Sequence, residues 1–203
     1  MLSPPGFIIH IFLVFVCNLN KSDRIIVFYK QRESEVTNMT VHHYIGSPYE
    51  LPTGSFGTKE TLVPLPEVSL FNRNQKKDKL ITIYEKEEDA YGISINYLND
   101  GYSDIENAFT LPYIYELSCD VHSKSIRELF TYIEEYLIEG CHIELYSCLD
   151  GEEAKEKDLN LNISINLKTL YFGKYYKLDK KKYIYELGEM FTFEDKQFVA
   201  VVK

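Results

Sequence analysis

The chain has 203 residues, of which 45% are hydrophobic and 14% are aromatic. That length predicts one domain, with or without a leader, and that hydrophobic share excludes an intrinsically disordered chain. The net charge is −9, and residues 39–203 carry 28 acidic against 18 basic side chains. Because such a surface repels phosphate backbones, we expect no nucleic-acid partner and, if a partner exists, a basic protein.

The first 38 residues differ from the rest and predict a doubtful N-terminal leader. An apolar run at residues 7–17 is shorter than the ~20 residues of a transmembrane helix and lacks the features of a signal peptide. Three interpretations stay open: translation that begins at Met39, a membrane or export leader, or a first strand of the domain, since residues 24–29 are β-like. We expect residues 39–203 to form a single cytoplasmic domain, with membrane association only if residues 7–17 are retained.

The middle of the chain predicts a loop followed by strands. Residues 46–70 hold four prolines and three glycines, which is typical of a long irregular surface loop. Residues 80–84 and 91–97 predict a hairpin, because apolar side chains alternate with polar ones along the second segment. The other elements predicted in this part are turns at residues 72–79 and 99–102 and a strand at residues 111–117.

The clearest helix is predicted at residues 125–139. Ser125 and Glu128 have the spacing of a capping box, and Gly140 predicts the end of the helix. Apolar residues recur at helical spacing from Ile126 to Leu137, so one face of this helix should pack on a sheet.

After the helix the pattern returns to strands. Residues 159–168 alternate apolar with polar side chains, which favours an antiparallel sheet with one face in water. Further strands are predicted at residues 141–148 and 183–187 and as a hairpin of residues 191–193 and 198–202. The expected fold class is α+β: a mainly antiparallel sheet of about five to eight strands with one long amphipathic helix packed on one face.

The strand predicted at residues 141–148 would place His142, Glu144 and Cys148 on one face. An imidazole, a carboxylate and a thiol in a row suit acid–base or nucleophilic chemistry, so these are the candidate catalytic residues. The Pro-Cys-x-x-Cys of zinc deaminases, a Gly-x-Ser-x-Gly elbow and a dinucleotide fingerprint are all missing from the sequence. The simpler interpretation is a polar or partly covered face of the sheet.

Metal binding is a weaker hypothesis. Cys17 lies in the doubtful leader, and the odd number of cysteines that remain predicts reduced thiols. Cys119 and His122 precede the predicted helix, whereas Cys141 and His142 follow it, and zinc accepts this ligand set. Their spacing matches no standard zinc knuckle, so we expect ordinary buried thiols, no metal and no cofactor.

Two adjacent histidines, His42 and His43, begin the body of the chain. Neighbouring residues of a strand point to opposite faces, so the two side chains should not reach one site. We expect them to form an ordinary surface pair.

Acidic side chains cluster in three places and would steer a basic partner if they converged on one surface. The candidate partner-binding residues are Glu87, Glu88 and Asp89; Glu134, Glu135 and Glu139; and Asp150, Glu152 and Glu153. We therefore expect a small acidic, non-enzymatic binding protein that resembles an immunity factor in behaviour. The alternatives are a small enzyme that uses His142, Glu144 and Cys148, and a membrane-tethered protein.

Overall fold

The computed structural model describes residues 12–18, 24–30, 40–64, 80–98 and 103–203. The chain divides into two compact units, Met1–Asn38 with Thr58–Ala90 and Met39–Gly57 with Tyr91–Lys203. The predicted start at Met39 and the predicted turns at residues 72–79 and 99–102 lie outside the described residues.

Thirteen strands and two α-helices form within these ranges. The strands are β1 (Phe12–Asn18), β2 (Arg24–Lys30), β3 (Val41–Ser47), β4 (Gly54–Phe56), β5 (Thr61–Pro64), β6 (Leu80–Ile83), β7 (Ile93–Tyr97), β8 (Tyr113–Cys119), β9 (His142–Leu149), β10 (Ile163–Asn166), β11 (Tyr171–Phe172), β12 (Tyr176–Lys177) and β13 (Phe198–Val202). The helices are α1 (Ser123–Tyr136) and α2 (Tyr183–Met190).

The first unit contains two antiparallel strand pairs, β1 with β2 and β5 with β6. Most of the apolar run at residues 7–17 therefore lies in a strand, and residues 7–11 lie outside the described part of the chain. No helix in the ranges that the structure describes is long and apolar enough to cross a membrane. The predicted hairpin of residues 80–84 and 91–97 is wrong, because β6 pairs with β5 while β7 pairs with β4 and β8.

The second unit is built on a nine-stranded sheet in the order β12-β11-β10-β13-β9-β3-β8-β7-β4. Every neighbouring pair is antiparallel except β10 and β13, which run parallel. The prediction of an α+β fold with a mostly antiparallel sheet is confirmed. The sheet has nine strands where about five to eight were expected, and α2 accompanies the expected long helix.

Helix α1 connects β8 to β9 and packs its apolar face on the sheet, as predicted. The stripe from Ile126 to Leu137 is buried. The predicted capping box is wrong, because His122 is the N-cap: its ring accepts a hydrogen bond from the backbone N–H of Lys124 at 3.2 Å. The ring of His122 also stacks on Tyr91 at a centroid distance of 3.7 Å, which holds the cap in place.

Residues 183–187 were predicted to form a strand but begin helix α2. Their apolar residues also suit a helix, because Tyr183 and Leu187 are one turn apart and both pack into the core. Gly188 lets α2 approach α1 closely: a Cβ at this position would lie 2.9 Å from the backbone oxygen of Ser123. The second helix is therefore a product of packing against α1.

Two other strand predictions at the C-terminal end are too long. The stretch at residues 159–168 contains a 3₁₀ turn, Leu159–Leu161, before the short strand β10, because the Asp158 side chain accepts a hydrogen bond from Asn160 N at 2.9 Å. In the predicted hairpin of residues 191–193 and 198–202 only β13 forms. Phe191 and Phe193 instead pack edge to face against each other at 4.9 Å.

The sheet is covered on both faces at its centre, which corrects the prediction of a solvated face. One core, on the helix side, includes Ile45 and Leu145. A second cluster on the other face contains Tyr44, Tyr146 and Cys148, and the 3₁₀ segment Ser103–Ala108 covers it with Ile105.

Candidate functional site

The three predicted catalytic residues lie on one face of β9, as the alternation of the strand predicts. The Nε2 atom of His142 lies 3.5 Å from Oε1 of Glu144, so these two side chains are in contact. The His142 side chain is 42% exposed, whereas that of Glu144 is 3% exposed. Only the imidazole is therefore open to a ligand from solution.

Glu144 connects the sheet to the 3₁₀ segment Ser103–Ala108 that covers the second cluster, here named the covering segment. Its carboxylate accepts a hydrogen bond from the backbone N–H of Thr110 at 2.8 Å and a short one from the Thr110 hydroxyl. A buried carboxylate needs such donors, because an unpaired charge inside a protein is costly. This arrangement makes Glu144 an anchor for Thr110 and an acceptor that can orient His142.

Cys148 does not complete a nucleophilic site with the other two residues. Its thiol is fully buried, and burial, together with the carboxylates of Glu153 and Asp195, raises its pKa to about 12. Since the thiolate is the reactive form, a thiol with this pKa stays protonated and unreactive near neutral pH. Cys148 also lies four residues along β9 from Glu144, or about 13 Å.

The hypothetical metal ligands lie apart. Cys119 precedes α1 and Cys141 follows it, and a helix of 14 residues is about 21 Å long. Burial, with a contribution from Asp120, raises the pKa of the Cys119 thiol to about 12. In the part of the chain that the structure describes, no three His, Cys, Asp or Glu side chains form a group that could hold a metal ion.

His43 is partly buried, which corrects the prediction of a surface pair. Its Nδ1 atom lies 2.8 Å from the hydroxyl of Ser147, and its ring stacks on Phe193 at 4.1 Å. Burial lowers the pKa of His43 to about 4, the neighbouring His42 adds to this effect, and Asp120 partly opposes it. The sequence pattern had no signal for this pair, because Ser147 comes from a distant strand and is itself buried.

The candidate partner-binding residues of the second unit fall into two acidic clusters at opposite ends of strand β9. Glu87–Asp89 belong to the first unit. Glu134–Glu139 lie where β9 begins, whereas Asp150–Glu153 follow its far end, and a strand of eight residues spans about 26 Å. The second and third clusters therefore do not adjoin one another.

The cluster at the end of α1 is largely neutralised by lysines. Oε1 of Glu134 lies 3.2 Å from Lys203, and Oε1 of Glu139 lies 2.5 Å from Lys168. The hydrogen bond from Lys168 lowers the pKa of Glu139. Glu135 is exposed, and its side chain forms a hydrogen bond with that of Tyr136.

The third cluster is part of a larger group of carboxylates, which we name the acidic surface. Its members are Asp150, Glu152, Glu153, Glu156, Asp158, Glu194 and Asp195. The segment that follows β9 meets the segment that precedes β13 here. Asp195 accepts a hydrogen bond from Leu149 N at 3.0 Å, and Asp158 N donates one to the carbonyl of Lys196 at 3.1 Å. The sequence pattern had indicated acidic partner-binding residues only in the first of these segments.

The acidic surface keeps an excess of negative charge. Residues 150–158 and 194–196 contain its seven carboxylates and three lysines, Lys155, Lys157 and Lys196, so their net charge is −4. Lys155 and Lys196 both contact Glu152, at 2.6 Å and 3.0 Å. Burial raises the pKa of Tyr146 to about 12, and Asp195, Glu152 and Glu153 contribute to that rise, as expected beside a negative field.

No family model, curated protein or solved structure matches this chain. Function is therefore inferred from the side chains themselves.

Proposed function

We propose that this chain is a non-enzymatic binding protein that docks a basic protein partner on the acidic surface. The observation that carries the proposal is the concentration of seven carboxylates, opposed by three lysines, on two adjoining connections. Such a field raises the rate of encounter with a positively charged protein and suppresses acidic competitors.

The individual carboxylates of the acidic surface suit this role to different degrees. Glu152 forms ion pairs with two lysines of the chain, so its charge is largely compensated within the molecule. The side chain of Asp150 is 68% exposed and lies 3.6 Å from Nε2 of His42, and Glu156 is exposed. An exposed carboxylate can accept two parallel hydrogen bonds from an arginine guanidinium, which is a strong form of ion pair.

The enzymatic alternative has less support. Glu144 already accepts two hydrogen bonds from Thr110, and the Cys148 thiol is buried with a raised pKa. Only His142 is left with an open side that a substrate could reach. The membrane-tethered alternative depends on residues 7–17 and draws no support from β1.

A capture experiment tests the proposed function. The full chain is immobilised and exposed to lysate of its native host, and bound proteins are identified by mass spectrometry. We expect a basic protein to be retained at about 0.05 M salt and released by about 0.5 M, because screening shortens the reach of surface charges.

The matched variants decide whether the acidic surface is responsible. Asp150→Lys with Glu156→Lys should reduce capture at least about tenfold, since each reversal replaces attraction with repulsion. Glu87→Lys with Glu88→Lys makes the same charge change on exposed residues of the other unit and should leave capture intact. Absence of any basic partner at low salt, or equal capture by both variants, would refute the proposal.

A further inference from the structure

One stretch of this acidic chain is strongly basic. Residues 168–182 contain six lysines and one acidic residue, Asp179, so their net charge is +5 in a protein of net charge −9. They form the edge hairpin β11–β12 of the sheet and the loop that leads into α2. The lysines are Lys168, Lys174, Lys177, Lys180, Lys181 and Lys182.

Exposed tyrosines are interleaved with these lysines. Tyr171, Tyr175, Tyr176 and Tyr185 are 39%, 84%, 45% and 56% exposed. The Nζ atom of Lys174 lies 5.2 Å from the ring centre of Tyr175, and that of Lys177 lies 5.9 Å from the ring centre of Tyr171. We name these lysines and tyrosines, with Arg127, the basic-aromatic edge.

The hairpin is anchored from one side only. Phe172 packs against the core, whereas Tyr171 pairs with Lys177 across the hairpin and points to the opposite face. Tyr176 lies opposite Phe172, on the face that carries the helices. The basic-aromatic edge thus wraps around the border of the sheet and presents rings and ammonium groups on both of its faces.

In the loop into α2 the exposed Asp179 is hydrogen-bonded to its neighbours, and Lys180, Lys181 and Lys182 are exposed beside it. Oδ1 of Asp179 accepts a hydrogen bond from Lys181 N at 2.8 Å, and Asp179 N donates to Oε2 of Glu186 at 2.9 Å. Lys168 is paired with Glu139. Among the residues that the structure describes, no carboxylate oxygen lies within 4.0 Å of the ammonium group of any of the other five lysines, so their charge faces solvent.

A groove of about 610 Å³ opens beside this loop. It is lined by Arg127, Lys181, Lys182, Tyr183, Ile184 and Tyr185. This volume is in the range of small-molecule sites, and its lining combines three cations with two phenol rings. The guanidinium of Arg127 lies 5.3 Å from the ring centre of Tyr185, a ring on which a base can stack, and 3.5 Å from Oε1 of Glu189. A phosphate that binds Arg127 therefore competes with an exposed ion pair, which is a weak interaction.

We propose that the basic-aromatic edge binds single-stranded nucleic acid, with one nucleotide in the groove beside Arg127 and Tyr185. Lysines that track a backbone and exposed rings that stack on unpaired bases are the two components of sequence-tolerant single-strand binding. A flexible strand can follow a surface that turns around the border of a sheet. A flat anionic membrane fits less well, because the exposed side chains are tyrosines and lysines and the one aliphatic residue of the groove, Ile184, is partly buried.

The overall charge, which led us to expect no nucleic-acid partner, does not exclude this site. Charges are screened over about 8 Å at physiological ionic strength, so a bound strand experiences mainly the local lysines. Repulsion from the remaining surface should keep the affinity modest, with a Kd of about 1–100 µM near physiological salt. This site is independent of the acidic surface, and either proposal can fail without the other.

Fluorescence anisotropy with labelled oligothymidylate and oligouridylate of about 15 nucleotides tests the proposal on the full chain. We expect the Kd to rise with salt by about 0.7 logarithmic units per phosphate contact for each tenfold increase in salt. Lys181→Glu with Lys182→Glu should weaken binding at least about tenfold, and Tyr175→Ala or Tyr185→Ala about fivefold or more. The matched control, Lys59→Glu with Lys86→Glu on exposed residues of the other unit, should bind like the native chain.

Four outcomes would overturn the proposal: no oligonucleotide binding at low salt, duplex bound as tightly as single strand, unchanged affinity in the tyrosine variants, or binding only to vesicles that contain phosphatidylserine. Circular dichroism and thermal unfolding check that each variant is folded. If the lysine reversal unfolds the chain, Tyr175→Ala still decides the question, because that side chain lies almost entirely in solvent.

Discussion

His43 and Glu144, two ionisable residues at the centre of the sheet, lie on opposite faces. His43 is on the helix side with Ser147 and Phe193, and Glu144 is on the other side with Thr110. Each obtains a hydrogen bond from a neighbour that is far away in the chain. Their surroundings differ, because His43 has a hydroxyl and an aromatic ring beside it and Glu144 has two hydrogen-bond donors from Thr110.

We expect the His43 site to make stability fall in mild acid. Its pKa is about 4 in the folded chain and 6.5 when exposed, so between these values the unfolded chain binds a proton that the folded chain does not. The contribution is fully present above pH 6.5 and is lost as the pH falls toward 4, by on the order of 3 kcal/mol. Urea unfolding of the native chain and of His43→Gln at pH 7 and pH 4.5 measures it, and the variant should lose less stability.

His142→Gln is the control for this measurement. The His142 side chain is 42% exposed and contacts Glu144, and its replacement should leave the difference in stability between the two pH values close to that of the native chain. An equal pH dependence in His43→Gln and the native chain would show that His43 does not contribute.

At the scale of elements, the packing of the covering segment against β3 depends on a glycine. A Cβ at Gly46 would lie 2.5 Å from Cδ1 of Phe109, which directly follows the 3₁₀ segment Ser103–Ala108. The Phe109 ring meets Tyr146 edge to face at 6.3 Å. The absence of a side chain at Gly46 therefore allows the covering segment to pack closely over the second cluster.

Gly46→Ala should destabilise the protein by about 1–3 kcal/mol, because the added methyl group must displace the Phe109 ring. Equilibrium denaturation in urea measures the change in the free energy of unfolding. The double variant with Phe109→Leu provides the control, since a smaller side chain makes room and the cost of Gly46→Ala should shrink. A cost that is the same in both backgrounds would mean that the ring does not limit this position.

At the scale of the whole molecule, burial is concentrated in the middle of the nine-stranded sheet. Strand β9 lies between β13 and β3, and all its residues from Ile143 to Cys148 are buried. The borders are short strands, β12 at one edge and β4 at the other, and both are largely exposed. Resistance to local opening should therefore decrease from the buried central strands to the exposed edge strands.

Hydrogen exchange measured by mass spectrometry checks that gradient. Peptides from β9 and β3 should exchange most slowly, by opening that approaches global unfolding, whereas peptides from β11–β12 should exchange orders of magnitude faster. Protection of β12 equal to that of β9 would contradict the expected gradient.

The local sequence pattern was enough to predict those elements whose apolar spacing is compatible with only one type of secondary structure. The stripe from Ile126 to Leu137 predicted α1 and its buried face, and alternation along β9 placed His142, Glu144 and Cys148 on one side. Both results depend on residues at most a helix or a strand apart. The pattern was ambiguous at residues 183–187, where the same apolar spacing also suits the helix that packing against α1 selects.

Tertiary structure decided the character of the candidate sites. His43 and Ser147 are 104 residues apart in the chain, and Thr110 and Glu144 are 34 apart, so no local window contains either contact. Packing in the second cluster, with Tyr44 and Ile105, buried Cys148, and the length of β9 separated two acidic clusters that looked equivalent in the sequence. Charge and periodicity are properties of neighbouring residues, whereas burial and proximity arise only when distant strands pair.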